Sequence, residues 1–206
     1  MILCRSLEVR KRLIYEYEIK PIAHIRLLNG QIRKSCTGDK LTDSYYCFSY
    51  RKLNEGGNSE TFLCGTHAAN SFLELLNHSK LPLFDPLGID NHGAGNSSSN
   101  GNMIVTWRPA AKQLYNAIHL LIICWGIVPG SVLKDIKSKL EVYTDREPLA
   151  SQVKSLNTII SKDKHGRTLQ EMIEEFRDAN EKLRQFQFDL LRVILSRNNV
   201  ANSYFG

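Results

Sequence analysis

The sequence predicts an α+β protein: an N-terminal antiparallel sheet with one helix, then a C-terminal α-helical bundle that ends in a long amphipathic helix. Three observations predict this class. Residues 13–64 contain runs of alternating apolar and polar residues separated by turn signals, as half-buried strands do. Residues 88–102 are dominated by Gly, Asn and Ser, and residues 168–197 carry an apolar repeat with helical spacing.

The Gly/Asn/Ser-rich stretch divides the chain into two predicted domains. Residues 1–87 form a small domain of antiparallel β-structure plus one helix, which is a candidate zinc module, and residues 103–206 form a helical domain. Residues 88–102 are the predicted linker, because such a composition cannot bury enough apolar surface to offset the entropy that is lost on ordering.

Three strands are predicted first, with a hairpin signal between the second and the third. Leu13–Ile19 alternates apolar and polar residues, and Pro21 then interrupts the pattern. Ile22–Leu28 and Gln31–Cys36 flank the dipeptide Asn29-Gly30. Asn-Gly between two such runs is typical of a tight β-hairpin, because both turn positions need a positive φ.

Two further strands and a helix complete the first predicted domain. Ser44–Leu53 is rich in aromatic residues and predicts a strand, and Ser59–Cys64 predicts the strand that returns beside it. A helix is predicted over residues 66–77, with Phe72 and Leu73 among its apolar positions.

Four helices are predicted in the second domain. The first three cover residues 109–127, 131–140 and 148–161. The last begins at the capping box Thr168–Glu171 and is predicted to continue to Arg197. Its apolar a and d positions recur in heptads, namely Leu169, Met172, Phe176, Ala179, Leu183, Phe186, Leu190 and Val193. This pattern predicts either a dimerising coiled coil or the longest helix of a bundle.

A structural zinc site is predicted from Cys36, Cys47, Cys64 and His67. Cys64 and His67 are three residues apart where a strand turns into a helix, which lets a thiolate and an imidazole converge on one ion. Cys36 and Cys47 would supply the other two ligands. Four protein ligands make a closed, structural site that stabilises a small sheet.

The strand–turn–helix around Cys64 and His67 resembles the treble-clef class of zinc modules. The resemblance covers the second ligand pair alone, because Cys36 and Cys47 are much further apart than the first pair of a zinc knuckle. If Cys36 is not a ligand, His24 or His78 is the predicted replacement. Without zinc, the alternative interpretation is buried thiols and a histidine at the start of a helix.

The cysteines and the hydropathy predict a reducing, intracellular location. The basic residues that follow the first four positions exclude a signal peptide, and the apolar run over residues 120–128 is too short for a membrane span. We therefore expect a soluble, cytoplasmic protein without disulfides, in which Cys4 and Cys124 are buried thiols.

A catalytic thiol is the rival interpretation of Cys64. The residue precedes a predicted helix N-terminus, where the helix dipole lowers a thiol pKa, and His67 follows one turn later. This pattern would suit a nuclease or toxin-type enzyme. The ordinary phosphate-loop, dinucleotide, HExxH and GxSxG motifs are absent from the sequence.

The formal net charge of +6 predicts contact with a polyanion, although the excess is spread over both halves of the chain. The candidate residues for binding DNA or RNA lie in short basic clusters. They are Arg10, Lys11, Arg12, Lys34, Arg51, Lys52, Lys162, Lys164 and Arg167. The alternative interpretation of each cluster is an ordinary solvated surface.

These observations together predict a non-enzymatic binding or adaptor subunit of a larger intracellular assembly, with a structural zinc ion and a possible nucleic-acid contact. The predicted partners are other protein subunits, or a second copy through residues 168–197, and DNA or RNA; no membrane contact is expected. The alternatives are the enzyme that uses the region of Cys64 and His67, and a structural oligomer built through the C-terminal helix.

Overall fold

A computed structural model of the protein describes residues 2–53, 59–88, 106–126 and 130–206. Within these residues the chain is a mixed α+β protein with a four-stranded sheet and seven helices. The α+β class predicted from the sequence is therefore confirmed.

The chain separates into two compact units. Unit 1 consists of residues 1–85 and 125–131, and unit 2 consists of residues 86–124 and 132–206. The predicted linker lies outside the described residues from position 89 onward, so the predicted domain boundaries stay a prediction.

The described residues of unit 1 up to position 85 contain the sheet and two helices. In chain order these elements are α1 (Leu7–Glu16), β1 (Tyr17–Arg26), β2 (Ser44–Lys52), β3 (Glu60–Gly65), α2 (Thr66–Leu75) and β4 (Leu83–Phe84). The sheet order is β3-β2-β1-β4, with β4 parallel to β1 and the other neighbours antiparallel.

One face of this sheet is covered by α1 and α2. Phe48 of β2 stacks on Phe62 of β3 with ring centroids 5.4 Å apart, and Phe72 of α2 packs at 5.5 Å from Phe48. Leu13 of α1 and Ile19 of β1 belong to the same buried cluster. The prediction of β2, β3 and α2 as strand, strand and helix is confirmed.

The prediction of a strand that starts at Leu13 is wrong, because α1 continues to Glu16. The Ser6 hydroxyl caps this helix by accepting a hydrogen bond from the Val9 N–H. Helical spacing then turns Val9 and Leu13 toward the same apolar cluster. Burial on a helical face therefore overrides the short alternating pattern.

The predicted hairpin across Asn29-Gly30 is also wrong. Gly30 makes the turn with φ +84°, but β1 pairs with β2 instead of with Gln31–Cys36. The aromatic residues of β2 give it the larger apolar face to bury. Pro21, predicted to interrupt the strand, lies inside β1 at a register irregularity, a position where proline is tolerated.

The helices that follow the sheet are α3 (Pro109–Trp125), α4 (Gly130–Val142), α5 (Ala150–Ile160), α6 (Leu169–Glu174) and α7 (Asp189–Arg197). The Thr168–Glu171 capping box is confirmed at the start of α6. The side chain of Asn157 on α5 accepts from the Tyr204 N–H at 2.7 Å and donates to the Asn202 carbonyl oxygen at 2.9 Å. These bonds tie the C-terminal tail to α5.

The prediction of one continuous helix over residues 168–197 is wrong, since α6 and α7 are separate. Asn180 Nδ2 donates to the Phe176 carbonyl oxygen at 2.8 Å, and Arg177 Nη1 donates to the Leu183 carbonyl oxygen at 2.9 Å. Both side chains satisfy carbonyls outside helical structure, so the backbone can depart from the helix without leaving these acceptors unpaired.

Candidate functional site

The prediction that the protein has no disulfide is wrong for one pair of cysteines. Cys4 and Cys36 form a disulfide, with Cα atoms 5.5 Å apart. The Cys4 N–H donates to the Cys36 carbonyl oxygen at 3.0 Å, so backbone pairing brings the two residues within bonding range. Cys4 is therefore not the free thiol that was expected.

The four residues predicted to hold zinc are not brought together. Cys47 lies opposite Leu63, while Cys64 lies opposite Tyr46, one register position away. Their side chains therefore point to opposite faces of the sheet. Across the described ranges no group of three or more His, Cys, Asp or Glu side chains is arranged to hold a metal ion.

As arranged, these residues do not fit a zinc ion. Cys36 is in a disulfide, and the His67 side chain is exposed whereas that of Cys64 is buried. The zinc site stays a prediction for another state of the chain. The two replacement ligands have other contacts. His24 stacks on Tyr46 with centroids 4.0 Å apart, and His78 Nδ1 lies 2.7 Å from the Ser79 carbonyl oxygen.

Cys64 does not have the surroundings of a nucleophilic thiol. The side chain is fully buried, and burial raises the pKa of the thiol well above its ordinary value, with the nearby Cys47 adding to the effect. The positive charge of Arg10 lowers the pKa of the Cys64 thiol, but it does not offset the effect of burial. A reactive cysteine needs an exposed thiolate with a lowered pKa, so these surroundings do not favour catalysis at Cys64.

Four of the predicted nucleic-acid residues lie at one end of unit 1. Lys11 and Arg12 are in the middle of α1, and Arg51 and Lys52 end β2. The Leu53 N–H donates to the Glu16 carbonyl oxygen at 3.0 Å, which joins the end of α1 to the end of β2. We refer to Lys11, Arg12, Tyr15, Arg51 and Lys52 as the basic end of unit 1.

Tyr15 is the aromatic residue of the basic end. Its side chain is 85% exposed, and it lies four residues after Lys11 and three after Arg12 on α1. Residues at these spacings are neighbours on one helical face. A tyrosine ring is therefore presented to solvent between two cationic side chains.

The ion pairs of the basic end are exposed ones. Arg51 Nη2 lies 2.6 Å from Glu18 Oε2, and Arg12 Nε lies 3.9 Å from Glu16 Oε1. The hydrogen bond from Lys20 and that from Arg51 lower the pKa of the Glu18 carboxyl. Exposed pairs of this kind contribute about 0–1 kcal/mol, so a phosphate can replace the carboxylate at low cost.

Arg10 does not belong to this surface, although the sequence predicted it with its neighbours. Its guanidinium is turned inward, where Nε donates to Ser71 Oγ at 3.1 Å and Nη1 donates to the Cys4 carbonyl oxygen at 3.0 Å. Lys34 is exposed and lies opposite Lys40 in an isolated antiparallel bridge.

The predicted basic loop of unit 2 is largely neutralised. Arg167 forms hydrogen bonds through Nη2 and Nε with both carboxylate oxygens of Asp163, and through Nη1 with Glu175. The Arg167 hydrogen bonds lower the pKa of Asp163 far below its ordinary value. Lys162 and Lys164 are exposed, but Thr168 and Glu171 fill the start of α6 with their own capping bonds.

A cleft of about 370 Å³ in unit 1 was not predicted from the sequence. Its walls come from the N-terminal segment, from residues 35–44 and from the start of α2. We refer to it as the basic cleft, because Arg5, Arg10 and Lys40 line it together with His67. These residues belong to three separate segments, so neither periodicity nor motif spacing could have joined them.

Comparison with known proteins relates the chain to a family of conserved proteins. A family model described as "Uncharacterised conserved protein UCP028583" matches residues 5–205. No curated protein and no solved structure matches the chain. In the described part of the chain, no helix combines the length and the apolar character that crossing a membrane requires.

Proposed function

The chain belongs to the UCP028583 family, and we propose that it is a non-enzymatic binding subunit that contacts single-stranded nucleic acid through the basic end of unit 1. The observation that carries the proposal is Tyr15, 85% exposed beside Lys11 and Arg12. Proteins that bind single strands combine cationic side chains along the backbone with aromatic rings on which bases stack. The exposed face of α1 offers both.

Arg51 and Lys52 extend the same surface beyond α1. Lys52 pairs with Tyr17 in the strand register, directly after the last residue of α1. A nucleic-acid strand that stacks a base on Tyr15 would bring its neighbouring phosphates within reach of these two side chains. The acidic residues nearby, Glu16 and Glu18, form ion pairs with the exposed side chains of Arg12 and Arg51.

We include a structural zinc ion in this proposal only for the protein in which the disulfide between Cys4 and Cys36 is reduced. Cys36 has to leave its disulfide with Cys4 before it can act as a thiolate ligand beside Cys47, Cys64 and His67. The proposed compartment is the cytoplasm, where thiols are kept reduced. The redox state of Cys36 therefore decides whether the zinc part of the proposal applies.

A second candidate function, contact with another protein subunit, is favoured by apolar side chains around the α4–α5 connection. Val142, Tyr143 and Leu149 are exposed there, and the Arg146 guanidinium lies 4.6 Å from the Tyr143 ring centroid. Exposed aromatic and arginine side chains are typical of the core of protein interfaces. This surface would serve an adaptor role alongside nucleic-acid binding.

Fluorescence anisotropy with a labelled oligonucleotide tests the main proposal. The strand should exceed the roughly 4–16 nucleotides that one single-strand module typically covers. Tyr15→Ala is expected to weaken binding about tenfold, because removing the stacking of one base costs about 1–3 kcal/mol. Tyr143→Ala is the matched control, since it removes an exposed tyrosine from unit 2.

Two results would overturn the proposal. One is a wild-type protein that does not bind single-stranded DNA or RNA at low salt. The other is equal weakening by Tyr15→Ala and by the Tyr143→Ala control. If Tyr143→Ala instead abolishes association with a partner subunit, the second candidate function gains support.

A further inference from the structure

We propose that the basic cleft of unit 1 binds a phosphate group at the N-terminus of α2, with Arg10 and Lys40 as its cationic partners. This site shares no residue with the basic end and goes beyond the nucleic-acid function proposed above. Inorganic phosphate and the terminal phosphate of a larger molecule present the same chemistry to the cleft.

The start of α2 lacks a cap of its own. Its N-cap residue is Gly65, which has no side chain to accept from the first-turn amides, and the first turn contains no acidic residue. The N–H groups of a helix's first turn have no partner within the helix and carry partial positive charge. Such an end is suited to an anion, and it opens into the basic cleft through Thr66 and His67.

Arg10 provides an independent reason to expect an anion there. The residue is only 7% exposed, and no carboxylate in the described part of the chain forms an ion pair with it. Nε and Nη1 donate to a serine hydroxyl and to backbone carbonyls. Nη2 makes no contact of this kind within the described residues, and Arg10 is one of the residues that line the cleft.

A buried guanidinium without a counter-ion is costly, because desolvation penalises the charge and only hydrogen bonds offset it. A phosphate in the cleft would supply the missing negative charge and accept from Arg10 Nη2. Hydrogen bonds between charged partners are shorter and roughly twice as strong as those between neutral groups. The combination of Arg10 with the uncapped α2 therefore points to an anionic ligand.

Lys40 adds a second cation at the edge of the cleft. It lies directly opposite Lys34 in an antiparallel bridge, and like charges at such positions repel each other. The acidic residues of the cleft are already paired: Arg5 Nη2 lies 3.7 Å from Asp39 Oδ1, and Arg26 pairs with Asp43. An anion bound near Lys40 would relieve the repulsion without competing with free carboxylates.

Calorimetric titration of the full-length protein with inorganic phosphate, at constant ionic strength, tests this site. Saturable binding is expected for the wild type. Lys40→Gln should weaken binding about fivefold or more, because it removes one charge-assisted hydrogen bond to the anion. Lys80→Gln is the matched control, because Lys80 is an exposed lysine of unit 1 outside the cleft.

Thr66→Asp is the second variant, and it separates binding from folding. A carboxylate in the first turn stabilises a helix through its dipole while occupying the position of the anion. We expect a melting temperature equal to or above that of the wild type, together with loss of phosphate binding. If Thr66→Asp does not fold, the comparison of Lys40→Gln with Lys80→Gln still decides the matter.

Two oligonucleotides, one with a 5′-phosphate and one with a 5′-hydroxyl, identify the source of the phosphate. Tighter binding of the 5′-phosphorylated strand than of the 5′-hydroxyl strand, with the difference lost in Thr66→Asp, assigns the cleft to a strand end. Equal binding of the two strands, with inorganic phosphate still bound, assigns it to a free or small-molecule phosphate. Failure of the wild type to bind inorganic phosphate, together with equal binding of the two strands, overturns the site, as does equal weakening by Lys40→Gln and Lys80→Gln.

Discussion

Cys4 is joined to Cys36 both by a disulfide and by a hydrogen bond from its own N–H to the Cys36 carbonyl oxygen at 3.0 Å. The Cys36 N–H in turn donates to the Leu63 carbonyl oxygen at 2.7 Å. The N-terminal segment is therefore tied to β3 through Cys36. Because the Cys4 carbonyl accepts from Arg10, this tie also fixes one wall of the basic cleft.

Removal of the disulfide should destabilise unit 1. We expect Cys36→Ser to lower the free energy of unfolding by about 2–4 kcal/mol, because the crosslink restricts the unfolded chain. Urea denaturation with and without a reductant measures the effect. The reductant should shift the wild type and leave Cys36→Ser unchanged, whereas an unchanged wild type would contradict a stabilising crosslink. Cys124→Ser, which removes a thiol that is not part of the disulfide, is the control.

Zinc content under reducing conditions tests the predicted metal site. If Cys36, Cys47, Cys64 and His67 assemble around zinc once the disulfide is reduced, elemental analysis should find a stoichiometric zinc ion in the reduced protein. Cys64→Ser should remove it, since structural zinc needs its four ligands. Zinc-free protein whose melting temperature is unaffected by a chelator would eliminate the site.

Asp163 should contribute stability that depends on pH. The Arg167 hydrogen bonds lower its pKa in the folded protein, so the carboxylate stabilises the fold at pH values above its unfolded pKa of about 3.9. The contribution is lost as the pH falls through the lowered folded pKa. At pH 7, Asp163→Asn should cost about 2 kcal/mol, because the half-buried Arg167 loses its charge-assisted hydrogen bonds to that carboxylate and keeps only those to Glu175.

Measuring the free energy of unfolding at acidic pH tests whether the stabilisation by Asp163 is lost as its carboxylate is protonated. The difference in unfolding free energy between wild type and Asp163→Asn should shrink below pH of about 4. Asp178→Asn is the control, since Asp178 is an exposed carboxylate of the same unit. A difference that is constant from pH 7 to the acid range would show that Asp163 acts through packing and not through its charge.

Leu191 and Val193 distinguish a helix packed inside unit 2 from a dimerising helix. Leu191 is fully buried, whereas Val193, a position of the predicted heptads, is 43% exposed. Leu191→Ala is expected to cost about 2–5 kcal/mol, as large-to-small changes in a core do. Val193→Ala should change stability by less than about 0.5 kcal/mol.

Native mass measurement of the same variants gives the complementary readout. The packing of α7 predicts that neither variant changes the oligomeric state. A dissociation caused by Val193→Ala alone would instead support assembly through residues 168–197. In that case the exposed valine would be a contact between copies of the chain.

Local patterns were sufficient for some elements of this fold. The apolar spacing around Phe72 predicted α2, the aromatic run predicted β2, and the Thr168–Glu171 box predicted the start of α6. In each case the signal lies within one element, where helical or strand periodicity governs which side chains are buried.

The errors arose where the interactions that decide the structure leave no periodic signal in the sequence. The heptads continued past Asn180, but local side-chain bonds to backbone carbonyls compete with a helix there. The Asn29-Gly30 signal specified a turn and not the partner of β1. Pairing of Cys4 with Cys36, which are 32 positions apart, left no local signal, and the basic cleft depends on it.

The salt dependence of nucleic-acid binding tests the central claim most directly. The logarithm of the binding constant of a labelled single strand should fall linearly with the logarithm of salt concentration. The double variant Lys11→Gln/Arg12→Gln should reduce that slope by roughly 1.4, at about 0.7 for each phosphate that is no longer neutralised. A slope that is the same in the double variant and the wild type, or no binding at low salt, would contradict a nucleic-acid contact at the basic end of unit 1.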